Sequence, residues 1–156
     1  MSATTLELFF IDGKPDGMLT AEVFGWTGHI LVAPRTRLPE ALKRKESSHT
    51  GVYILLGEQD EEPLAYIGEG ESIAARIKSH DAKKDWWTRV VLITSAANNL
   101  HKAHVQYLNQ GLCKKVFQLQ IQSSKMVQAH LCQAYLKLLK LIWKPLFCSC
   151  LWCFPQ

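Results

Sequence analysis

Short apolar runs alternate with turn-forming clusters through the first hundred positions, and the spacing of apolar residues changes repeatedly between strand and helix periods. Residues 6–11 (LELFFI), closed by DGKPDG, predict a strand, and 19–26 (LTAEVFGW) and 29–33 (HILVA), punctuated by Gly28 and Pro34, predict two more. From Leu38 the pattern becomes LPEALKRKE, with Pro39 suited to a first helical turn and Leu38 and Leu42 on one face. Residues 51–57 (GVYILLG) and 64–68 (LAYIG), separated by the acidic turn EQDEEP, read as a hairpin. After Gly70, ESIAARIKSH predicts a helix that places Ile73 and Ile77 together. Residues 89–95 (RVVLITS) form a β-branched strand, and Asn98 or Asn99 can cap a helix starting at Leu100. The fold class expected is α/β (α+β), a small mixed or antiparallel central sheet flanked by helices. Its parts are a strand-rich lead-in (1–48), a core (50–112) and a tail (113–156).

Charge separates the tail from the rest. Of 156 residues, those from Met1 to Leu112 include 12 Lys and Arg against 14 Asp and Glu, a net −2. From Cys113 onward there are six Lys and no acid, a net +6, and all five cysteines. A cysteine-free front excludes a disulfide framework there, and an opening without a basic start or long apolar run reads as non-secretory, so a cytoplasmic protein is expected. The −2 core offers neither tight nonspecific DNA binding nor strong electrostatic steering. In the tail, the crowded Cys148-x-Cys150-x-x-Cys153 spacing argues against a zinc site. Lys137, Lys140, Lys144 and Pro145 interrupt the apolar run 131–154, so neither a spanning helix nor a membrane partner is expected. The tail is expected to be the least well packed part of the chain.

The residues with chemistry to offer cluster in the hairpin and the helix after it. Gly51-Val52-Tyr53 and Tyr66-Ile67-Gly68 stand in adjacent strands, so closing the hairpin brings two phenols toward one site while the glycines admit close backbone approach. Arg76 follows on the helix, where a guanidinium can hold a phosphate with two parallel hydrogen bonds. Trp86 and Trp87 are expected to fill core beside the next strand, and Glu69 and Glu71 to sit in an exposed turn. GVY, YIG, Arg76, His80 and the KAHVQYL helix together resemble the GIY-YIG nuclease domain, over about residues 50–110. The lead-in is similar to that of stand-alone bacterial members. The resemblance implies a DNA endonuclease, a phosphodiester hydrolase, with Mg²⁺ or Mn²⁺ as cofactor and DNA as partner. It implies Tyr53 helping to activate water, Tyr66 assisting, Arg76 stabilising the phosphate, and Gly51, Gly68 and His80 on the substrate side.

The chain departs from that family at one position. The later helix would carry a metal-binding Glu after Tyr107-Leu108, and here the residue is Asn109, a poor ligand for a hard cation. No metal ligand is therefore assigned, and the nuclease is expected to be impaired or inactive. The alternative is a non-catalytic module binding nucleic acid or protein on the same fold; a third is a membrane-surface protein acting through its tail. One inserted base after a codon for Leu108 can restore tyrosine-leucine-glutamate and turn Lys codons of the tail into Glu codons. The composition change and the lost carboxylate are both consistent with a frameshifted C-terminus.

Overall fold

The computed structural model describes residues 5–123 except positions 26, 61, 96 and 99, with side chains as far as position 113, position 23 excepted. Expectations for the tail beyond position 123, including Cys132, Cys148, Cys150, Cys153 and the apolar run 131–154, lie outside the described residues. The chain divides into two compact units, Met1–Gln106 and Tyr107–Gln156.

In the first unit, six strands form one antiparallel sheet. They are β1 (Leu6–Phe10), β2 (Leu19–Val23), β3 (Gly28–Pro34), β4 (Gly51–Gln59), β5 (Glu62–Gly70) and β6 (Trp87–Ser95). The helices are α1 (Leu38–Ala41), α2 (Ile73–Asp81) and α3 (Lys102–Ser123), the last running on into the second unit. This is the α+β class that the periodicity predicts. The spatial order is β1-β2-β3-β6-β4-β5, so β6 lies between the lead-in meander and the β4–β5 hairpin. Its RVVLIT run suits that place, since a strand buried on both faces needs apolar residues at successive positions.

The two-residue period sorts these strands into faces. Leu31, Ala33, Tyr53, Leu55, Val90 and Leu92 fall on one, where they form a core with Leu38 and Ala41 of α1 and Ile73 and Ile77 of α2. Ile30, Val32, Val52, Ile54, Val91 and Ile93 occupy the other and are buried too. Trp87 is fully buried and Trp86 packs beside it, as expected for core fillers. The hairpin turns at Asp60, whose φ of 54° is a conformation Asp tolerates better than most residues.

Asn98 does not begin a helix. It adopts φ 53°, and its side-chain oxygen accepts a hydrogen bond from the Thr50 amide at 3.1 Å, while α3 starts at Lys102. An Asx side chain serves a turn as readily as a helix start, and here it ties the end of β6 to the start of β4.

Candidate functional site

In the hairpin register Tyr53 faces Gly68 and Leu55 faces Tyr66, so both phenols project from one side of the sheet. α2 lies over that side, held by Ile73 and Ile77, and His80, three residues after Ile77, follows on the same flank. The three rings form a triangle. Centroid separations are 6.2 Å for Tyr53–Tyr66, 5.8 Å for Tyr53–His80 and 5.0 Å for Tyr66–His80, all tilted.

The motif glycines have a steric cause. A Cβ at position 68 would overlap the ring and hydroxyl of Tyr53, so the missing side chain is the space the phenol occupies. A Cβ at Gly51 would collide with the carbonyl oxygen of Ile93 and come within 2.9 Å of Ile73 Cδ1. Gly51 thus lets β4, β6 and α2 close together, and stands under the site rather than in it.

Tyr53 is only 1% exposed. Burial, followed by its proximity to and hydrogen bond with Tyr66, pushes its phenol well above the ordinary range, against a smaller opposing effect of Arg76. Tyr53 is therefore protonated at neutral pH. His80 is shifted the other way: partial burial, then the charges of Lys84, Arg76 and Lys83, lower its pKa, so its imidazole is neutral at pH 7. Lys84 Nζ stands 4.6 Å from the Tyr66 ring centroid. The sequence carries one signal for Lys84, its four-residue step from His80.

Arg76 is exposed and lines a cleft of about 450 Å³ with Thr50, Glu69, Glu71 and Lys102. Its Cγ would lie 2.9 Å from a Cβ at Gly70, so the glycine at the end of β5 makes room for it. Of the residues singled out in the sequence, Tyr53, Tyr66, His80 and Gly68 are in one packed group, with Arg76 at its electrostatic border. Glu71 is exposed in the bend after β5, as expected, whereas Glu69 is half-buried within the strand, and both line the cleft.

Among the described residues, no group of three or more His, Cys, Asp or Glu side chains can hold a metal ion. Asn109 lies in the second unit, on α3, where Cys113 Sγ is 3.4 Å from its side-chain oxygen. No helix among the described residues is long and apolar enough to cross a membrane. Compared with known proteins, the chain matches no family model, no curated protein and no solved structure.

Proposed function

We propose that this protein is a GIY-YIG-type nuclease fold that engages a DNA phosphodiester with its cleavage chemistry impaired. The observation that carries the reading is the Tyr53–Tyr66–His80 triangle seated on Gly68 with Arg76 beside it. Each side chain has a chemical use there. Arg76 and Lys84 supply positive charge for a phosphate. Neutral His80 can accept a proton, and Tyr66, packed against both Tyr53 and His80, is the more exposed of the two phenols. Among the described residues there is no cluster of acidic ligands to hold a cation against the charge developing on the scissile group.

The second reading, a nucleic-acid-binding module without turnover, is favoured by Asn109 and uses the same cationic rim. One set of assays on the full chain separates them. Wild-type protein is expected to bind DNA, to lose most of that binding on Arg76→Ala, and to give little nicking of plasmid with Mg²⁺ or Mn²⁺. Asn109→Glu is expected to raise metal-dependent nicking by at least about tenfold, and adding Tyr53→Phe to reduce it again. Nicking by wild type equal to that of the Asn109→Glu variant would remove position 109 from the mechanism. No gain in the variant, with DNA binding intact, would favour the binding module. Absence of DNA binding would overturn both.

A further inference from the structure

The two edges of the sheet are unlike. β5 closes one end with Glu62, Pro63 and Glu69, and charge together with a residue lacking an N–H discourages a further strand. β1 closes the other with LELFF, among whose side chains Phe9 is 63% exposed and Leu6 42%.

The backbone of β1 offers more than apolar surface. The Phe24 amide donates to Thr5 O at 3.2 Å and the Ile11 amide to Met18 O at 2.9 Å, bracketing the β1–β2 ladder in one unbroken register. Antiparallel pairs alternate between bonded and non-bonded, so Thr5, Glu7, Phe9 and Ile11 turn their N–H and C=O groups toward β2. Leu6, Leu8 and Phe10 turn theirs outward, to the edge that no strand among the described residues pairs with.

We propose that β1 is a self-recognition edge, and that two copies of this chain join there as antiparallel strands about a two-fold axis through Leu8. In that register Leu8 meets Leu8 of the second copy, and Leu6 meets Phe10. Every outward-facing donor and acceptor then has a mate. The side chains agree with the backbone: Leu6, Leu8 and Phe10 share the face of buried Leu19 and Ala21, so the pairing extends an apolar row. Charge agrees too, because Glu7 is opposite Phe9 and no acid faces another across the junction. A five-residue ladder is at the small end of specific interfaces, below roughly 1,200 Å² in total, so the dimer is weak and concentration-dependent. An axis normal to the sheet keeps both Tyr53–Tyr66–His80 groups on one side of the joined sheet. The two Tyr53 side chains would be nine strand spacings apart, roughly 40 Å before twist, and the two Tyr66 side chains eleven.

The test is sedimentation velocity on the full chain between about 5 and 500 µM. Wild type should move from monomer toward dimer. Leu8→Lys and Leu8→Glu should each weaken association more than about tenfold by placing like charges on the axis, and an equimolar mixture of the two should recover it. A monomer throughout, a dimer indifferent to both changes, or no recovery on mixing would overturn the proposal. If the variants fail to fold by circular dichroism, amide exchange in wild type decides. Exchange at Leu6, Leu8 and Phe10 should slow with concentration while Glu7 and Phe9 stay constant; uniform behaviour of all five would overturn it.

Discussion

Position 68 has room for a hydrogen and nothing larger, because Tyr53 fills the place of its Cβ. Gly68→Ala should therefore destabilise the protein by about 1–3 kcal/mol. Tyr53→Leu, which removes the clashing atoms, should make the same glycine change much cheaper in the double variant, and denaturant unfolding of the four proteins measures that coupling. Gly51→Ala lacks such a remedy, since its obstacle is the backbone oxygen of Ile93. His80 gives a second prediction at this scale. Its folded pKa lies below the ordinary 6.5, so as pH falls below about that value the unfolded chain takes up the proton first. Its contribution to stability is thus intact above 6.5 and is lost as pH falls through the folded pKa. Lys84→Ala should raise the His80 midpoint in an NMR titration, because a repelling charge has gone; an unchanged or lower midpoint would contradict the geometry.

Among the elements, α2 depends on a residue far from it in sequence. Arg35, following β3, places Nε 2.9 Å from Asp81 Oδ1 and donates from Nη1 to Asp85 O at 2.8 Å and from Nη2 to Asp81 O at 3.2 Å. Its guanidinium also lies 4.6 Å from the Trp87 ring centroid. One planar fork closes the end of α2 and fixes the chain entering β6. Arg35→Ala should cost about 2 kcal/mol, and Arg35→Lys should recover less than half, since an ammonium cannot reproduce the fork. Because Asp81 follows His80, faster amide exchange should appear at the end of α2 in both variants. Their denaturation midpoints and exchange maps check this. The element pattern itself was legible: short apolar runs bounded by turn residues marked all six strands, and Ile73 and Ile77 marked the buried side of α2. The start of α3 was not, because Asn98 has the same side chain whether it caps a helix or bonds to Thr50. The role of Arg35 left no local signal, since its partners are 46 or more positions away.

At the scale of the molecule, the candidate site was legible where local geometry creates it. The hairpin register follows from two short runs and their acidic turn, and it sets Tyr53, Tyr66 and Gly68 in place. The burial of Tyr53 was not legible, since it depends on α2 and β6 closing over the hairpin, and neither was the strand order. That order has a consequence for the chain as it is made. Among the described residues β6 is the last strand synthesised, yet it is inserted in the middle of the sheet. The meander β1–β3 and the hairpin β4–β5 share no ladder of their own; each offers an open edge that only β6 fills. A nascent chain that has emerged as far as position 86 therefore carries two half-sheets with sticky, unpaired margins, including the apolar run of β3. The interval between translating the hairpin and releasing residues 87–95 is when this protein is most exposed to aggregation and most in need of a chaperone.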